Sequence, residues 1–220
     1  VMLPLFPLGT VLFPGRPLPL RIFEPRYVAL LASVIGGRNP TRELGVVTVR
    51  AGREVGAGGF VATSDVGCSA VVQHAAPTGD GAFEVLVQGA RRFRVDSVDL
   101  PETPGGAGYQ RAQVRLLDPG GREAADLAEP ARRLLTAYHG YCDLVGAQPL
   151  DLADGPPEAL AWTVADLVPL ALTARLEVLA VDDPVARLEL VGGLVTTEID
   201  LVREVRAFPR TQPLEAPTPN

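Results

Sequence analysis

The chain has 220 residues, 47% hydrophobic and 21% charged, with a formal net charge of −6; this is the profile of one or two ordinary globular domains with a real core. An acidic surface repels phosphate backbones and argues against general nucleic-acid binding. All 20 basic residues are arginine, which excludes a Schiff-base lysine, a Walker A lysine and a Ser–Lys dyad.

The N-terminal segment reads Leu3-Pro4-Leu5-Phe6-Pro7-Leu8-Gly9-Thr10-Val11-Leu12-Phe13-Pro14-Gly15, then Leu18-Pro19-Leu20-Arg21-Ile22-Phe23-Glu24-Pro25-Arg26-Tyr27. Each proline removes a backbone donor and fixes φ, so these short apolar runs predict a kinked, extended ribbon near a sheet edge. Pro25 suits a first helical position, and Tyr27, Leu30, Leu31 and Val34 follow at helical spacing. Strand patterning then covers 44–50, 60–63, 70–73, 83–88, 92–98 and 110–117. Gly-rich turns are expected at 56–59, 78–81 and 104–106. Many short strands with such turns predict a small barrel or sandwich.

Asp118-Pro119-Gly120-Gly121 marks the expected boundary, because the apolar period switches to 3.6 beyond it. Leu134, Leu135, Tyr138, Cys142 and Val145 share a helical face, and Pro130 either starts or kinks that helix. Pro156-Pro157 opens a second helix that Pro169 closes, and Thr173 is expected to cap a third. Asp183 as N-cap with Pro184 after it starts a fourth helix reaching about Arg206. That last helix is apolar on two faces, one with Leu188, Val191, Val195 and Ile199, the other with Leu190, Leu194, Leu201 and Val205, which predicts burial between neighbours. The expected division is a β-rich part over 1–118, a helical bundle over 122–207, and a Pro-rich flexible tail over 208–220.

The N-terminal block strongly resembles the start of the Lon-protease N-terminal domain in its short, stand-alone bacterial form. Weaker matches follow in order: Leu44-Gly45-Val46-Val47 with Gly52-Arg53-Glu54-Val55-Gly56, then Gly89-Ala90-Arg91-Arg92-Phe93-Arg94-Val95, then Ala165-Asp166-Leu167-Val168-Pro169-Leu170. The resemblance spans roughly residues 2–206. It implies an α+β fold, in which a PUA-like β pseudo-barrel with one short helix is followed by a C-terminal helical bundle. It also implies substrate recognition without the ATPase and peptidase parts, so the role expected is a non-catalytic module with no cofactor. The partners expected are unfolded or degron-like protein segments, together with a protease or chaperone.

Two modes of client binding are open, strand addition at an edge of the Pro-broken ribbon or an apolar groove between the two parts. Phe13, Phe23, Arg26, Tyr27 and Trp162 are the candidate binding residues. For each, packing is the competing fate: the aromatics fit a core, and Glu24 with Arg21 or Arg26 fits a ribbon-to-helix corner that needs its charges held. Arg92 and Arg94, flanking Phe93, are the candidate patch for an alternative small-molecule or RNA role, or else a solvated strand face. Cys142 and His139, three apart on one helix, leave a hydrolase reading open, though no orienting group or oxyanion hole is visible. His74 has no second ligand at a useful spacing, and Cys68 and Cys142 make no metal motif, so no metal site is expected. No apolar run reaches the roughly 18 residues that span a bilayer, and no signal peptide is legible. A reducing cytoplasm is the expected compartment.

Overall fold

The structure, a computed structural model, describes residues 1–36, 41–51, 62–99 and 108–207. The expected turns at 56–59 and 104–106, the block around Arg53, and the 208–220 tail lie outside the described residues.

Strand β1 (Met2–Leu8) carries two prolines and is nevertheless an interior strand. Residues 2–4 pair antiparallel with β7 (Arg111–Leu116), and residues 5–8 pair parallel with β3 (Glu43–Ala51). The Leu5 amide donates to the Gln110 carbonyl at 2.8 Å, so odd-numbered residues face β7. Pro4 therefore faces away from β7 and Pro7 away from β3, each toward the side on which its half makes no ladder. The expectation of an edge position is corrected by this switch of pairing partner within one strand.

The true edge is β2 (Pro17–Ile22), which among the described residues pairs only with β6 (Phe83–Asp99). Gly89 donates to the Arg16 carbonyl at 2.9 Å, so even-numbered residues of β2 face β6. Pro17, Pro19 and Arg21 then point outward, and two of these three positions lack a donor. Sequence patterning divides β6 at Gly89, yet it is one 17-residue strand. Gly89 permits this, because a Cβ there would lie 2.1 Å from the Phe13 carbonyl oxygen. One end of β6 bonds β2 and the other bonds β7, while β5 (Val66–Pro77) runs along it. The closed path is β1-β7-β6-β5-β3 and back to β1, with β4 (Ala62–Thr63) added on β3. Bulges at Cys68/Ala70, Val72/His74 and Val95/Ser97 add the local twist that closure needs. Helix α1 (Pro25–Ile35) buries Leu30, Leu31 and Val34 against this sheet's core with Phe6, Ile22 and Val46.

The remaining helices are α2 (Ala124–Val145), α3 (Pro157–Leu167), α4 (Leu172–Ala180) and α5 (Pro184–Ala207). Pro130 sits inside α2 rather than at its start. The N-cap of α4 is Ala171, and Thr173 lies within the first turn, so the expected threonine cap is not formed. Asp183 immediately precedes α5; its carbonyl accepts the Arg187 amide at 3.0 Å, and its carboxylate accepts from Arg122 at 2.8 Å. One face of α5 is buried as expected, but Leu201 is 53% and Val205 64% exposed, because no described element covers the second face near that end. The helical core also takes in Val11, Phe13 and Val66 from the β-rich part, so the two parts meet through a shared apolar contact. The fold is α+β.

Candidate functional site

At the junction of β2 and α1 the chain turns through Phe23 and Glu24. The amides of Tyr27 and Val28 both donate to the Glu24 carbonyl at 2.9 Å, which starts the helix with Pro25 at its first position. The Glu24 side chain makes no cap bond. It accepts instead from Arg26, with Nε at 2.9 Å and Nη2 at 2.7 Å. That pairing lays the guanidinium 4.5 Å above the Tyr27 ring. Tyr27 also packs against Phe6, at 4.5 Å between centroids and 48° between planes.

Beside these rings lies a cavity of about 160 Å³. Phe6, Ile22, Tyr27 and Val49 supply apolar walls, and Arg21, Glu24 and Arg26 supply the charged rim. Phe23 also lines it and is 66% exposed, the most exposed large aromatic among the described residues. A cavity near 150 Å³ with apolar walls accepts a benzene-sized group. The arrangement can therefore seat one apolar side chain, with Phe23 as a further contact at the mouth.

Of the expected binding residues, Phe23, Arg26 and Tyr27 meet here. Phe13 and Trp162 do not. Their rings stack at 5.6 Å in the contact between the two parts, and both are buried. Arg175 lies 4.8 Å over Phe13 and Arg187 lies 4.0 Å over Trp162, so each ring of the pair also meets a guanidinium group. Asp166 accepts from Arg16 and from Arg175, each at 3.0 Å. Arg175 also donates to the Val11 carbonyl at 3.1 Å, tying α4 to the loop after β1. Burial and the neighbouring Arg92 hold the Arg187 guanidinium down at about 10, still protonated near neutrality.

Arg92 overturns both readings offered for it, solvated face and phosphate-binding patch. It is 3% exposed and donates to the carbonyls of Leu179, Val181 and Asp118, with Asp182 as counter-ion at 3.0 Å. Arg94 is half-buried and lies opposite Arg115, which is paired with Asp96 at 3.1 Å. The run of arginines thus forms no continuous basic strip. Cys142 is buried in the helical core, where Tyr138 is its polar neighbour, while His139 is exposed on the surface. Burial pushes the Cys68 thiol up to about 12, which keeps it protonated and inert. Among the described residues no group of three or more His, Cys, Asp or Glu side chains is placed to hold a metal ion. Likewise no helix among them is long and apolar enough to cross a membrane.

Sequence reasoning missed Phe6 and Val49 as walls of the cavity, and Asp166, Arg175 and Arg187 at the contact between the parts. No local signal marks them, because each acts through a neighbour distant in the chain.

The model of the ATP-dependent protease La (LON) substrate-binding domain matches residues 2–197. The chain belongs to the Lon substrate-binding domain family. It is similar to Lon protease 2 of Herpetosiphon aurantiacus, at 28% identity over 91% of this chain and 24% of that protein. Lon protease 2 of Sorangium cellulosum is 27% identical over 91% of this chain and 25% of its own length. The chain thus spans about a quarter of the length of these relatives. Among solved structures, the Lon N-terminal domain protein from Xanthomonas campestris aligns with a TM-score of 0.59 at 26% identity, covering 86% of this chain and 95% of that one. The N-terminal domain of the Mycobacterium avium complex Lon protease shares the fold, with a TM-score of 0.64 at 16% identity over 89% and 98% of the two chains.

Proposed function

We propose that this Lon-type domain is a non-catalytic module that binds unfolded or degron-like protein segments by seating an apolar side chain between Phe23 and Tyr27. The observation that carries this reading is Phe23, two-thirds exposed beside an apolar cavity in a chain whose family is defined by substrate binding. Leaving a phenylalanine in water forgoes about 1.5–3 kcal/mol of burial, which a bound client recovers. Strand addition is the weaker mode, because Pro17 and Pro19 remove two outward donors from the edge of β2. In this reading residues 1–118 present the site and residues 122–207 support it. Captured clients pass to a protease or chaperone in a bacterial cytoplasm, where Cys68 and Cys142 stay unpaired.

Titration of fluorescently labelled unfolded peptides tests the proposal. Saturable binding that Phe23→Ala weakens about tenfold is expected. No saturable binding up to about 1 mM, the weak end of specific association, would overturn it.

A further inference from the structure

We propose that the turn after α4 is a main-chain clasp that joins the two parts of the chain into one cooperative unit, closed at any ionic strength. Among the described residues, Arg92 of β6 and Arg187 of α5 are the only fully buried charged side chains, 3% and 2% exposed. Both reach the Val181 carbonyl: Arg92 Nη1 donates to it at 2.9 Å, and Arg187 Nη2 and Nε at 2.9 Å and 3.3 Å. Arg92 donates further to the carbonyls of Leu179 at 3.0 Å and Asp118 at 3.3 Å, and Arg187 to that of Asp182 at 3.1 Å. Helix α4 ends at Ala180. The Leu179 and Val181 carbonyls are therefore ones that a helix end leaves without an intrahelical donor, at the negative end of its dipole. Asp118 belongs to the connection between the parts, and that connection lies on the same turn. Gly120 has a φ of +81°, and a Cβ there would lie 3.0 Å from the Asp182 carbonyl oxygen and 2.9 Å from Pro184. A strand, the connection and two helices are thus held at one turn.

Two forces could keep this seam shut, an ion pair or the carbonyl bonds. Among the described residues the ion pair is that of Arg92 with Asp182, at 3.0 Å, and this carboxylate is 68% exposed. A pair with one member in water is screened and contributes little. The carbonyls are fixed by the fold and shut away from water, so salt does not screen them. Moving the parts apart would break the bonds from Arg92 to α4 and would also pull Val11, Phe13 and Val66 out of the helical core. A half-open state loses both at once, so the seam opens only as the chain unfolds. The Phe13 and Trp162 rings are accordingly closed to any ligand of the folded chain.

Trp162 is the sole tryptophan and lies 4.0 Å from the Arg187 guanidinium and 5.8 Å from that of Arg92, so its emission reads the seam. Far-ultraviolet circular dichroism reads the whole fold. The test is urea unfolding of the full chain followed by both signals. In the wild type the two transitions should coincide at about 0.05 M and at about 1 M NaCl. Asp182→Asn removes the ion pair, keeps the carbonyls and should leave the transitions coincident. Arg92→Lys keeps the charge and loses the planar fork; the Trp162 transition should then separate from the other and fall about 1 M earlier in urea. A wild-type Trp162 transition that runs ahead at high salt overturns the inference. So does Asp182→Asn opening the seam as far as Arg92→Lys, or Arg92→Lys leaving both transitions together and unmoved. Should Arg92→Lys fail to fold, the wild type at two salt concentrations and Asp182→Asn decide the matter. No peptide takes part, so the outcome is independent of client binding at the corner.

Discussion

Around Tyr27 and around Trp162 the chain makes the same kind of contact. In each, an arginine lies over an aromatic ring and a phenylalanine packs against it, with Arg26 at 4.5 Å and Phe6 at 4.5 Å in the first, and Arg187 at 4.0 Å and Phe13 at 5.6 Å in the second. The first borders a cavity with Phe23 exposed at its mouth. The second is shut, because the loop after β1 presses Phe13 against α3 while Arg92, Arg175 and Arg187 each donate to main-chain carbonyls. Aromatic and arginine residues together do not define a binding surface; what decides is whether a second layer of the fold covers them. At Trp162 the helical part does, and the group holds the molecule together. At Tyr27 the described residues leave an opening, and in the proposed function this is where a client's side chain is seated.

Substitutions that separate stability from binding sharpen this contrast. Phe13→Ala should have the largest effect, lowering the unfolding free energy by about 3–5 kcal/mol, since it empties a fully buried ring site and strips a neighbour from Trp162. Chemical denaturation measures it. Phe23→Ala should leave stability within about 0.5 kcal/mol while costing about 1.4 kcal/mol of client affinity, a tenfold loss. If Phe23→Ala destabilised the fold as much as Phe13→Ala, the two regions would not differ in kind.

Smaller effects test the supporting elements. Gly192→Ala and Gly193→Ala should each stabilise α5 by about 1 kcal/mol, because a Cβ at either position meets nothing within 4 Å and alanine favours helix. A melting temperature that falls instead would show a close approach that the fold does not contain. The smallest effect concerns the turn at Asp80. Its folded carboxyl titrates at about 2, below the ordinary value of 3.8. Its contribution is therefore present above pH about 4 and lost as the pH falls toward 2. Asp80→Asn should flatten the stability profile across that window and leave it unchanged in shape above it.

Much of the corner was legible because it is built from consecutive residues. Proline grammar placed the start of α1 at Pro25 and that of α5 at Pro184, and Asp118 coincides with the change from strands to helices. Phe23, Arg26 and Tyr27 stand close in sequence and therefore close in space. Arg92 was misread for a tertiary reason: alternation correctly sets it opposite Phe93, but no local pattern reveals that helices lie over that outer face. Pro4 and Pro7 misled in the same way, since a strand that changes partner midway tolerates prolines an ordinary interior strand would not. Leu201 and Val205 repeat the lesson in reverse, as apolar periodicity promised a cover that the described residues do not supply. Val49 and Phe6 became walls of the cavity only when β1 and β3 paired.

Residue-resolved NMR of the isotopically labelled chain, titrated with an unfolded peptide carrying one phenylalanine, tests the binding site most directly. Progressive shifts centred on Phe23, Tyr27, Phe6 and Val49, with Phe13 and Trp162 unmoved, are the expected result. Shifts that gather on the surfaces of α2 to α5, or a spectrum unchanged at millimolar peptide, would contradict it.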